Sequence, residues 1–577
     1  MSLTRNGDSK LTAPYFIIPI IVALIIRIIF YLSWTNSTFK YYCFVKGLDM
    51  QALLNWGVNS TAKGEMANNL YVHLISLIVR LTNGSIFTIN IIIILQLVLG
   101  IGTVLLSVYI AWIISESKAA ASISSIIIAC YAPLLMYEGF LLKNTLCTFL
   151  TTGLLFTALL FYKNTKHKKI SALCSGLFAA LLLFANFASI CFVSFVYLWQ
   201  IFVVFKTKEN LKSLIIYPAT ILIILVALFS ASGFRVFPII NNISDSRWLS
   251  YVINVGAQRE ITTLNESIQT LNNDQSFDRA IDIYPYFKKT FSLLSSAEVP
   301  DNINYYFVKD GLIPLKYMFS PFLLYAVGIP AFFIYLALYR NRKVSLMCGI
   351  YFVSLALPLI VFVPLSRYTI VYSPLLCIMS VWLLFELARF MRQKNKTKGL
   401  SIILLLAVSF AIQTKLNPAP FYRASDFVTF ARALEIQNPE DARISYAYGE
   451  AYKANSESIK IALKYADILM SHGHFTEASN VLEKLHLSNP TDTLITLQLS
   501  SALLVCKKTD EAGILLDSLT GATLTDNTLY LYNKAEYFFQ KENYKEALTL
   551  YEKLKVLNIS AIQEKIKQRI LFIKKRK

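Results

Sequence analysis

The sequence predicts an all-α protein in two parts, a polytopic membrane domain of about eleven spans followed by a soluble α-solenoid. Three observations predict it. The 577 residues are 55% hydrophobic with a mean hydropathy of +0.52, too apolar for one soluble globule. Apolar runs of about 16–28 residues recur as far as residue 414, divided by short basic clusters. Beyond residue 415 these runs stop, and amphipathic helical periodicity takes their place.

The spans are expected at 14–34, 86–113, 119–137, 143–162, 169–186, 188–205, 213–232, 321–339, 345–364, 368–391 and 399–414. The first follows Arg5 and Lys10, and no small-residue cleavage site succeeds it, so it reads as a spanning helix and not a removable signal. The segment LYVHLISLIVRL is short and carries His73 and Arg80, which suits a helix lying in the interface. Basic clusters stand at Lys163–Lys169, Lys206–Lys212, Arg340–Lys343 and Arg389–Lys398. With all four in the cytoplasm, the N-terminus is cytoplasmic and the C-terminus external. Two external loops, 35–85 and 233–318, are then left within a membrane domain of residues 1–415. Such a chain belongs in a bacterial-type inner membrane, with residues 416–577 on the external, periplasmic side.

The formal net charge of +20 is explained by these loop clusters, and no nucleic-acid partner is expected. Most of the eight cysteines fall in or beside apolar runs, where a thiol acts as a small hydrophobe, and neither they nor the histidines show metal-ligand spacing. No cofactor is expected, nothing in the sequence requires a metal or decides whether one is used, and no Walker loop or dinucleotide fingerprint occurs.

In the last third, Ala478, Ala512 and Ala547 recur in FTEASNVLEKL, TDEAGILLDSL and YKEALTLYEKL. Twelve residues before each lies a small residue, Ala466, Ser500 or Ala535, and four and seven residues after each come large ones. Small residues let two helices approach, and large ones fill the groove against the next unit. The pattern resembles the tetratricopeptide repeat (TPR), with Gly473 in a turn and 425–457 as a degenerate unit or cap. A concave face on such a solenoid suits a protein or peptide partner, while a purely stabilising role is the alternative.

Charges at span ends are the candidates for chemistry. Asp49 lies in KGLDMQALLNWG, with Trp56 two helical turns later on the same face. On spacing alone, helix capping and interfacial anchoring are the plainer explanation of both. Glu138 ends an apolar run in YAPLLMYEGFLLKNTLCTFL, where pairing with Lys143 or solvation is the plain alternative. Arg367 heads a late span in PLSRYTIVYSPLL, suited either to headgroup anchoring or to holding a phosphate. Asp274, Asp278 and Asp282 recur at helical spacing, best explained as a solvated face.

Taken in order along the chain, these segments resemble the GT-C integral-membrane glycosyltransferases, in the branch of protein mannosyltransferases and aminoarabinose transferases. DMQALLNWG (Asp49–Gly57) resembles the family's Asp-x-x-x-Tyr-x-x-Trp-Ala, with Leu53 in place of tyrosine. Leu95–Gly100 is similar to Val-Gln-x-Leu-Leu-Gly, and YAPLLMYEGFLLK to Tyr-Pro-x-Leu-x-Tyr-(Asp/Glu)-Gly-x-Leu-Leu-Lys. Ser366-Arg367-Tyr368 resembles Ala-Arg-Tyr, whereas Phe184-Ala185-Asn186 stands where many relatives have Arg-Pro-Asn. The resemblance implies transfer of a sugar from a polyprenyl-phosphate carrier to a lipid, glycan or protein acceptor on the outer face. It implies Asp49 as general base or orienting group, with Glu138 supporting the site. Lys143 and Arg367 would hold the carrier phosphate, with Trp56 and Tyr368 in the substrate site. A glycan ligase or polymerase, or a non-catalytic membrane-anchored TPR scaffold, are the competing expectations.

Overall fold

A computed structural model describes residues 13–59, 69–82, 86–163, 167–207, 212–231, 284–339, 341–361, 365–393, 396–416, 422–519, 527–557 and 560–576. Among the described residues the structure is all-helical, without strands. The chain divides into two compact units, Met1–Phe421 and Tyr422–Lys577.

The first unit begins with α1 (Ala13–Thr35), whose buried residues Pro19, Ala23, Arg27, Phe30 and Trp34 form one stripe at helical spacing. Its other faces expose Ile18, Ile21, Leu24, Ile25, Ile28 and Leu32. A helix so apolar and so little covered by protein is at home facing lipid, not water. A 3₁₀ turn (Thr38–Phe44) leads to the short helices α2 (Asp49–Asn59) and α3 (Leu70–Thr82). At 13 residues α3 is too short to cross a bilayer. A Cβ added at Gly57 of α2 would strike Ile75 of α3, so this glycine permits their close packing.

There follow α4 (Ile86–Ser115), α5 (Lys118–Ala129), α6 (Ala132–Glu138), α7 (Asn144–Lys163), α8 (Lys168–Ala185), α9 (Ile190–Thr207) and α10 (Lys212–Ala231). The span expected at 119–137 is not one helix. It breaks at Cys130–Tyr131, where Phe319 N donates to Cys130 O at 2.9 Å and Ala132 N to Phe319 O at 3.0 Å. Pro133 cannot supply an amide to a continuous helix, whereas in the first turn of α6 none is needed. The crossing strand of chain at Phe319 satisfies groups that this break releases.

Described residues resume with α11 (Tyr284–Leu294), α12 (Tyr305–Gly311), α13 (Ile313–Lys316), α14 (Pro321–Leu338), α15 (Arg342–Val361), α16 (Ser366–Thr369), α17 (Ser373–Arg392) and α18 (Lys396–Leu416). Nine helices among the described residues are long and apolar enough to cross a membrane, as a multi-pass membrane protein requires. They are α1, α4, α7, α8, α9 with the turn before it, α14, α15, α17 with α16, and α18. Asp274, Asp278, Asp282 and most of the expected loop 233–318 lie outside the described residues.

The second unit contains helix pairs α19 (Ala424–Gln437) with α20 (Arg443–Ala454), α21 (Ile459–Ser471) with α22 (Phe475–Ser488), α23 (Thr493–Val505) with α24 (Thr509–Ser518), and α25 (Thr528–Gln540) with α26 (Tyr544–Val556). Ala478, Ala512 and Ala547 are fully buried, as are Ala466, Ser500 and Ala535 opposite them. A last helix, α27 (Ser560–Arg576), lays Ile566, Ile570 and Ile573 on the core of the final pair. Asn533, 1% exposed, ties α25 to α23 by donating to Leu497 O at 2.8 Å and Ser500 Oγ at 2.9 Å.

Candidate functional site

The candidate site is assembled from segments far apart in sequence. Asp49 is the first residue of α2, behind a turn in which Gly47 takes φ +95°. This is a left-handed backbone that glycine adopts without strain. Arg367 lies in α16, the short turn that precedes α17. Its Nη1 donates to Asp49 Oδ2 at 2.5 Å, and its Nη2 pairs with Asp301 Oδ2 at 2.9 Å. Tyr368 carries the guanidinium over its ring, 4.8 Å from the centroid.

Exposure falls across this cluster, from 50% at the Asp49 side chain to 27% at Asp301 and 17% at Arg367. Asp49 is therefore the open end, and Arg367 the enclosed hub. Asp301 belongs to a stretch anchored beforehand. Ser296 N donates to Gln413 Oε1 at 2.8 Å, Gln413 Nε2 donates to Leu294 O at 2.8 Å, and Asn304 caps α12 by accepting from Tyr306 N. Glu298, 8% exposed, lies within electrostatic range of Tyr137, Tyr305 and Tyr306. Burial, reinforced by that carboxylate, holds the Tyr305 hydroxyl well above its ordinary range.

Glu138 is not part of the open cluster. Its side chain is 2% exposed, and Arg27 Nη2 donates to its Oε1 at 2.5 Å. Expected to be solvated or paired with Lys143, it is instead buried in an ion pair with the one arginine of α1. The structure also joins two segments on which the family resemblance rests. Gln96 Nε2 donates to the carbonyls of Glu138 and Phe140 at 2.8 and 2.9 Å, while Tyr71 OH donates to Gln96 Oε1. One turn after Gln96, a Cβ added at Gly100 would run into the Glu138 carboxylate. The Gln-x-x-x-Gly spacing thus serves to seat this glutamate against α4.

The two layers meet through α7. Asn144 lines a narrow cavity with Arg27, Gly100, Thr103 and Glu138, and its Nδ2 donates to Arg367 O. Lys143 makes no ion pair among the described residues. Its Nζ reaches Asn186 Oδ1 at 3.5 Å. Trp56 is half-buried on α2, two turns after Asp49. The structure therefore brings together Asp49, Arg367 and Tyr368 and sets Glu138 beneath them, with Lys143 directed to Asn186.

Sequence reasoning missed Arg27 and Asp301, and it noted Gln96 only as part of a motif, without a role. Arg27 carried a signal, a lone charge in an otherwise apolar span. Asp301, in AEVPDN, carried none. No group of three or more His, Cys, Asp or Glu side chains among the described residues is placed to hold a metal ion. What the open cluster offers is a half-exposed carboxylate beside an arginine that is held from two sides.

Compared with protein-family models and with curated proteins, the chain matches none.

Proposed function

We propose that the protein is a GT-C-type membrane glycosyltransferase that moves a sugar from a polyprenyl-phosphate carrier to an acceptor on the non-cytoplasmic face. The observation that carries this reading is the Asp49–Arg367 contact, made across 318 positions of sequence. The resemblance assigns the base to one of these residues and the carrier phosphate to the other, and chemistry between them requires that they be neighbours. Asp49 accepts the proton of the acceptor hydroxyl as that oxygen attacks the anomeric carbon. The bond from that carbon to the carrier phosphate breaks, and Arg367, with Lys143 nearby on the same chain segment as Glu138, stabilises the leaving phosphate. One base and no covalent enzyme intermediate give inversion at the sugar. Glu138, closed off by Arg27, supports the floor of the site and does no proton transfer.

In this reading the membrane body has eleven spans, with α5 and α6 together and α10 added to the nine long helices. The second unit is a TPR solenoid that recruits the acceptor or a protein partner. A recess between its helices, lined by Tyr446, Glu450, Lys453, Tyr465, His474 and Glu477, offers the aromatic and charged groups for such binding.

The test is transfer from defined polyprenyl-phosphate sugars by the full chain in proteoliposomes. Asp49→Asn is expected to lower turnover by roughly 10²-fold or more, the scale of a lost general base. Its thermal stability should change little, because a half-exposed ion pair contributes only about 0–1 kcal/mol. Full activity of Asp49→Asn would remove the catalytic assignment.

A further inference from the structure

Arg367 has two carboxylate partners, and the two are not equivalent. Asp301 sits on a segment pinned at one end to Gln413 and at the other by the Asn304 cap. Asp49 follows a turn whose Gly47 has open space around its Cα, and its side chain is half exposed. The Nε of Arg367 is enclosed and has no hydrogen-bond partner among the described residues. A guanidinium shared by two carboxylates also leaves the cluster with one net negative charge, which disfavours an incoming anion unless one carboxylate withdraws.

We propose that Asp301 is a positioning residue that keeps Arg367 in place, and that the carrier phosphate displaces Asp49 from Nη1. This rests on the reading of Arg367 as the carrier-phosphate group. The exchange makes and breaks no covalent bond. One charge-assisted hydrogen bond at Nη1 passes from a carboxylate oxygen to a phosphate oxygen, and Asp49 moves into the solvent it already half faces. The released carboxylate is then free to accept the proton of the acceptor hydroxyl. Donor binding therefore uncovers the base, and the acceptor reacts only after the donor is seated. In the absence of donor, Asp49 is occupied by Arg367, and an acceptor that arrives first finds no free base.

The exchange predicts an inverted effect on binding. Full-length protein in nanodiscs is titrated with a polyprenyl monophosphate that carries no sugar, so binding is read without turnover. Asp49→Asn, having lost the competing carboxylate, is expected to bind about fivefold more tightly than wild type. Arg367→Gln is expected to lose most of the binding. Asp301→Asn is expected to bind more weakly than wild type and to raise KM for the donor more than it lowers kcat, with Asp301→Glu restoring both. Wild-type binding that depends on Arg367 but is unchanged or weakened by Asp49→Asn overturns the exchange and leaves the glycosyltransferase reading standing. Tightening by Asp301→Asn equal to that of Asp49→Asn overturns the assignment of Asp301. Binding that is absent in wild type, or indifferent to Arg367→Gln, overturns both the exchange and the function on which it rests.

Discussion

Arg27 and Glu138 show how one contact reassigns a residue. Each charge is almost completely enclosed, and the two are 2.5 Å apart. Removing one partner leaves the other buried without a counter-ion, a change that costs about 3–5 kcal/mol. Glu138→Ala and Arg27→Ala are both expected to lower the melting temperature of the detergent-solubilised chain severely. The double variant Arg27→Met/Glu138→Leu, which leaves no charge behind, is expected to recover much of that loss. Were the single variants as stable as wild type yet inactive, Glu138 would be a chemical group and not a structural one. Asp49 is the opposite case, where activity and not stability should respond. The sequence placed both carboxylates at span ends and could not separate them, because burial depends on what packs opposite. Arg27 is 111 positions from Glu138, and Asp301 is far from both Asp49 and Arg367 in the chain. Pairings at such range leave no local pattern, which is why the partners were illegible while the residues themselves were not.

Elements whose character is periodic were far more legible than those set by tertiary contact. The recurring Ala478, Ala512 and Ala547 occupy buried positions, because close helix approach demands a small side chain wherever it occurs. The same period governs its turns in a way that residue type conceals. Gly473, Lys507 and Glu542 all take the left-handed conformation, with φ of +81°, +61° and +61°. In each turn the next amide reaches back to close the helix, His474 N to Leu469 O at 2.8 Å, Lys508 N to Leu503 O at 2.9 Å and Asn543 N to Phe538 O at 2.9 Å. Only the first of the three is glycine, so only the first was visible as a turn. Lys507→Gly is expected to stabilise the α23–α24 pair by about 0.5 kcal/mol, since relief of left-handed strain outweighs the added freedom of the unfolded chain. Gly473→Ala should destabilise α21–α22 by about 1 kcal/mol. Hydrogen exchange at the amides of those helices measures each effect locally, where a melt of a two-unit chain would blur it. The broken span at Cys130–Tyr131 is the complementary failure. Its apolar run promised one helix, and the chain crossing at Phe319, 189 positions later by the residue numbers 130 and 319, makes two.

At the scale of the membrane body, the charge arrangement bears on the side that the proposed site faces. Helix α7 extends about 30 Å for its 20 residues. At one end Asn144 donates to Arg367 O, and at the other Lys163 lies over Trp112 at 4.2 Å. Near that second end Lys343 lies over Tyr162 at 5.3 Å, and Trp199 Nε1 donates to Lys343 O at 3.0 Å. The basic ends of α7 and α15 thus sit together, a bilayer's thickness away from the carboxylate cluster. Helix α18 repeats the polarity. Lys396 and Lys398 begin it, and Gln413 near its end binds the segment that leads to Asp301. If the basic face is cytoplasmic, as the proposed topology has it, Asp49, Asp301 and Arg367 stand at the opposite surface. The eleven crossings proposed above, an odd number, would carry the chain from a cytoplasmic N-terminus to an external C-terminus, and loss of any one crossing would return it to the cytoplasm. Reporter fusions after Lys169 are expected to be cytoplasmic, and fusions after Lys577 external. A cysteine placed at Asp49 should react with an impermeant thiol reagent added from outside. An internal C-terminal reporter would remove one crossing, with the two-piece span α5–α6 the first to reconsider. Protection of the cysteine at 49 from external reagent, together with an external C-terminus, would instead close the site to the outer face and set aside an acceptor arriving from that side.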